Sequence, residues 1–107
     1  MAGSLHKYTV VESQNASMGQ AGATIIADTA THTATSGQFV AIQFITDSEF
    51  TTLTPDSTSF FGSGAGASSL EASPDTTSGV TFPAGMTIYG RWSVIDLASG
   101  SCIAYIG

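Results

Sequence analysis

The sequence predicts an all-β domain, a small antiparallel sandwich or barrel with an N-terminal arm and a C-terminal hairpin. Three observations carry this. Short runs rich in Ile, Val, Phe, Tyr and Thr recur along the chain, separated by Gly, Ser and Pro turns. No stretch shows the 3.6-residue apolar stripe of a helix; the best candidate, residues 17–27, is interrupted by Gly19 and Gly22. The last 28 residues, Val80 to Gly107, hold two strand-like runs around Ala98-Ser99-Gly100, where Gly accepts the positive φ of a tight turn.

Taken in order, residues 1–13 read as an N-terminal arm: a short polar start, then Tyr8-Thr9-Val10-Val11-Glu12-Ser13 with strand composition. Residues 14–22 are small and loop-like, and Thr24 to Asp28 forms a short strand. Thr29 to Gly37 is nearly all Thr, Ala, Ser and His and suits either strand or connector. Gln38 to Thr46 is the strongest internal strand. Phe39, Val40, Ile42, Phe44 and Ile45 make both its faces apolar, as in a strand covered on both sides. Glu49 to Leu53 continues after a turn at Asp47-Ser48. Residues 54–79 are expected to be a long Gly/Ser/Thr-rich loop, well beyond the ~12–15 residues of an ordinary connection. After the Pro83-Ala84-Gly85 turn, Met86, Ile88, Gly90, Trp92 and Val94 are expected on one face, with Trp92 the largest core residue.

At 107 residues the chain is one domain, able to bury about two-thirds of its unfolded surface. Charged residues make up only 9%, against about 25% in an average soluble domain. Its surface must therefore be mainly Ser, Thr, Gly, Asn and Gln, which suits a protein packed against neighbours. Eight acidic residues against Lys7 and Arg91 leave a net charge of −6. That balance argues against nucleic acid and against anionic membrane as partners, since both need clustered Lys and Arg. Residues 1–7 lack the apolar stretch of a signal peptide, and no run approaches the ~20 apolar residues of a membrane span.

Chemistry is sparse. Cys102 stands alone in the last strand and reads as a small core hydrophobe. His6 and His32 are the only imidazoles, too few and too isolated for a zinc site, and His32 reads as a solvent-facing strand residue. No serine lies in a Gly-x-Ser-x-Gly turn, and Lys7 stands in no phosphate-cradling glycine loop. Asp47 with Glu49, and Asp56 with Asp75, lie beside turns, where Asp usually bonds its own backbone. The expectation is a non-enzymatic protein with no catalytic residue, metal or cofactor. Two readings stand for Phe60 and Phe61 in the long loop: Phe60 anchoring it to the core, or the pair contacting a partner.

The C-terminal signature carries a resemblance. Thr81-Phe82-Pro83-Ala84-Gly85, then Ile88-Tyr89-Gly90-Arg91-Trp92, then Leu97-Ala98-Ser99-Gly100 and Ala104-Tyr105, resembles small virion proteins of tailed bacteriophages. Phe39, Ala41, Ile42, Asp47, Phe50 and Leu53 resemble a middle segment of the same group, so that residues 36–53 and 79–107 are covered. These motifs are structural and carry no site residues. The resemblance implies a capsid cement or decoration protein, made in the host cytoplasm and placed on the capsid surface of the virion. Its partners would be the major capsid protein and copies of itself, as a trimer or other homo-oligomer. Tyr8, Val10 and Val11 of the arm would reach a neighbouring subunit, and Arg91 or Lys7 would pair with a neighbour's acid. The alternative is a tail or head fibre component or receptor-binding tip, with Phe60-Phe61 meeting a host glycan or protein. A soluble carbohydrate-binding module is a third class, for which a row of exposed aromatics is not evident in the sequence.

Overall fold

The computed structural model describes residues 22–63 and 67–107. The arm, with Tyr8, Val10 and Val11, lies outside them. The described chain is all-β: β1 (Ala23–Ile26), β2 (Thr31–Thr33), β3 (Phe39–Phe44), β4 (Glu49–Pro55), β5 (Thr87–Ser99) and β6 (Cys102–Ile106). They form one six-stranded antiparallel sheet in the order β1-β6-β3-β5-β2, with β4 also on β5. Trp92 pairs with both Phe39 of β3 and Pro55 of β4, so those strands lie on opposite edges of β5. Asp96 likewise pairs with Thr31 and Thr52, which puts β2 on β3's side.

β5 organises the molecule, and it is bent. Thirteen extended residues would reach about 40 Å if straight. Yet the amide of Phe44 bonds to Met86 O at 2.9 Å and the next amide, Ile45, bonds to Ser101 O at 2.9 Å. The two ends of β5 therefore return to adjacent residues, and the sheet curls into a half-barrel. The bend is made by extra residues flanking Trp92. Between Tyr89 and Trp92, β5 holds one residue more than β3 opposite; between Trp92 and Val94 it holds one more than β4. Each such bulge bends a strand and increases its twist.

The bulge at Ser93 also shifts which side chains face inward. Ile88 and Trp92 are buried as expected, but beyond the bulge Ile95 and Leu97 take the core positions. Val94 is only half-buried and Met86 is exposed, contrary to the simple alternation. A second correction concerns the C-terminal hairpin. β5 and β6 are joined through Gly100 and Ser101 but do not pair; β3 lies between them, bonded to both. The turn serves a corner instead. Gly100 has φ +91°, and a side chain there would run into Ser48 and the Asp47 carbonyl.

The core has an aromatic group at each end. Phe44 stacks on Phe82 (centroids 5.0 Å), and Phe50 meets both edge-on at 5.8 and 5.3 Å. Phe82 arrives through an isolated bridge to Ser48. The Pro83–Met86 turn that follows, with Gly85 at φ +85°, donates Gly85 N to Phe44 O and Ala84 N to Asp47 Oδ1. At the other end Trp92 is fully buried; its indole N–H donates to Phe61 O at 2.8 Å, and Phe61 meets it edge-on at 5.3 Å. Gly90 leaves the space the indole fills, since a Cβ there would stand 2.7 Å from Trp92 Cζ2. Cys102 is buried beside this core, with its thiol pushed up to about 11 by desolvation.

The long segment after β4 is tied down. Ser63 N and Oγ donate to Leu53 O, and Leu53 N donates back to Ser63 Oγ. Thr77 N bonds to Gly62 O, and Ser69 bonds to Thr58. The segment thereby covers the edge of β4 that β5 does not use.

Candidate interaction surface

The register of the sheet defines its outer face. Ala23, Tyr105, Ala41 and Tyr89 are cross-strand neighbours over four strands, as are Ile25, Ile103, Gln43 and Thr87. Directly paired residues project to the same side. The interleaved rows, Thr24-Ala104-Ile42-Ile88 and Ile26-Cys102-Phe44, project to the other side and supply buried core residues. The outer rows hold two tyrosines and two isoleucines and no charged residue. Ile25 is 65% exposed and Tyr89 49%, while Ile45, just past the end of β3, is 48% exposed. Ile45 thus corrects the expectation that both faces of this strand are covered. The Tyr105 hydroxyl donates to Gln43 Oε1 at 3.2 Å, which lays that side chain along the sheet rather than out into water.

The candidate residues from the sequence fall elsewhere. Phe61 is committed to Trp92 and the core, so the anchoring role belongs to Phe61, and Phe60 beside it is half-buried. The structure thus separates a pair that sequence reading treated together. Arg91 is exposed and already has an acidic partner in its own chain: Nε donates to Asp56 Oδ2 at 3.1 Å, and Asp56 N donates to Arg91 O. His32 is half-buried, and its Nε2 lies 2.8 Å from Asp28 Oδ1 across the β1–β2 turn. That contact, with the Ala30 amide, holds the Asp28 carboxyl below its ordinary value. Among the described residues no three His, Cys, Asp or Glu side chains gather where they could hold a metal.

The outer face was legible in one respect. In β6 the small residues Cys102 and Ala104 alternate with the large Ile103 and Tyr105, so placing Cys102 in the core sends the large ones outward. What was missing was the pairing with β1 and β3, which gathers Ile25, Gln43 and Tyr89 beside them. No family model, curated protein or solved structure matches this chain.

Proposed function

We propose that this protein is a non-enzymatic structural component of a bacteriophage virion, a cement or decoration protein that stabilises the capsid lattice as a homo-oligomer. The observation that carries the reading is a pair of uncharged rows on the outer face, across β1, β6, β3 and the start of β5, presenting Ile25, Ile103, Tyr105 and Tyr89 on a chain with only 9% charged residues. A lattice protein works through buried area, and standard interfaces bury ~1,200–2,000 Å² in total. Rows without charges enter such a contact with no ion to desolvate. A ligand that binds the assembled lattice stabilises it by mass action.

The test compares the heat resistance of particles stripped of the protein with that of particles to which it has been restored. Restored stability that survives molar salt is the expected result, because apolar contacts are not screened. Tyr89→Lys is expected to leave the isolated domain folded and to abolish restoration. Stripped particles that are equally heat-resistant but fail to adsorb to hosts would refute the cement role and favour the fibre-tip alternative.

A further inference from the structure

The outer rows have a relief as well as a polarity. Along the row Ala23-Tyr105-Ala41-Tyr89 small and large residues alternate across β1, β6, β3 and β5. Adjacent strands stand about 4.8 Å apart, so Tyr89 lies about 14 Å from Ala23 at the opposite end. Tyr105 does not stand upright. Its hydroxyl donates to Gln43 Oε1 on β3 at 3.2 Å, so the ring leans from β6 toward β3, over the middle of the four strands. Ala41, between the two tyrosines, has no exposed surface, whereas Ala23 and Tyr89 are both exposed. The patch is thus low at one end, filled at its centre by an aromatic ring and raised at the other end.

We propose that this patch is a self-complementary contact at which two copies of the chain meet face to face about a two-fold axis. The proposal deepens the reading of the outer rows as a contact surface, and rests on it, by naming what they meet. A two-fold axis brings a patch against itself, so each feature must find its own counterpart. An axis lying in the contact plane along the strands turns the row end for end. Tyr89 of each copy then sits on Ala23 of the other, and the two Tyr105 rings meet near the axis, where they can stack offset. An axis across the strands would instead set Tyr89 against Tyr89 and leave Ala23 facing Ala23. Charge favours the same occupant. Copies that each carry a net charge of −6 repel one another, and rows without a charged residue are where they approach at least cost. The Tyr105–Gln43 bond also answers two polar atoms before contact. Size sets the strength. Two rows of four residues are few against the ~20–30 a side of a standard interface, so the dimer is weak and fills at concentrations on the order of a millimolar.

Sedimentation equilibrium on the intact purified protein, up to about a millimolar, tests this. The mass is expected to rise toward that of two copies and no higher. Association at molar salt is expected to be at least as strong, because salt screens the repulsion between like-charged copies. Ala23→Tyr fills the low end of the patch, and Tyr89→Ala removes the raised one. Each is expected to weaken self-association at least about tenfold, with far-UV circular dichroism unchanged. Mixed in equal amounts, the two variants are expected to recover association to within about threefold of the original, since each then offers what the other lacks. A protein that stays monomeric throughout would overturn the proposal, whether the face is bare or holds another partner. So would an Ala23→Tyr variant that associates as well as the original, a mixture no stronger than its components, or association lost at molar salt. No capsid enters these measurements, so a monomer here, together with heat resistance restored to stripped particles, would refute the dimer alone.

Discussion

Removing the Trp92 side chain tests whether the bent strand depends on what fills its bend. The indole is fully buried, contacts Phe61 edge-on at 5.3 Å and occupies the space left by Gly90. Truncation to Ala in a core of this kind costs about 3–5 kcal/mol. It also deprives Phe61 O of its 2.8 Å donor. Phe61 is only partly buried, so water can replace that bond and the added cost belongs at the low end of the ~1–3 kcal/mol range. The expected total is about 4–6 kcal/mol, against ~5–15 kcal/mol for the stability of an entire domain. Trp92→Ala should therefore be close to unfolded at 37 °C. Trp92→Phe keeps a ring but not the donor and should lose about 2–3 kcal/mol. Urea titration followed by far-UV circular dichroism gives both values, since Trp92 is the sole tryptophan and its fluorescence disappears with it. A loss below about 1.5 kcal/mol for the Ala variant would refute the claim that the indole holds the bend.

Gly100→Ala should destabilise by more than the ~1–2 kcal/mol of a left-handed non-glycine residue, because its Cβ also meets Ser48 and the Asp47 carbonyl; thermal melts measure this. Cys102 should react with a thiol reagent only on global unfolding. Its raised pKa also means that stability falls as pH climbs from 9.0 toward about 11, where the unfolded thiol ionises and the folded one does not. His32→Gln should raise the Asp28 pKa toward 3.8, as followed by carboxyl NMR titration. The depressed folded value means that any stabilisation from Asp28 is present above the unfolded pKa and fades as pH falls through the folded one.

The strands were legible because β-branched and aromatic runs between glycine turns leave few other options; β3, β4 and the Trp92 core position follow directly from that pattern. The pairing was less so. Ala98-Ser99-Gly100 reads like a hairpin turn, yet β6 runs beside β3, because β5 is bent by bulges that no local residue pattern announces. The same bulges explain why Val94 reads as core and Ile95 occupies it. The outer face was hidden for a related reason: Ile25, Gln43, Tyr89 and Tyr105 come from four separate segments, and only strand register brings them side by side.

Ser63 at the edge of β4 has a consequence for assembly. A sheet that grows by edge-to-edge addition needs two templates, one at each end, for the chain of copies to continue. Here one end is closed from within by a serine that answers both backbone groups of Leu53, and β2, at three residues, offers little length to copy. Edge-to-edge addition therefore cannot continue through β4. A protein so poor in surface charge lacks the usual electrostatic guard against stacking into filaments, and this cap supplies a geometric one.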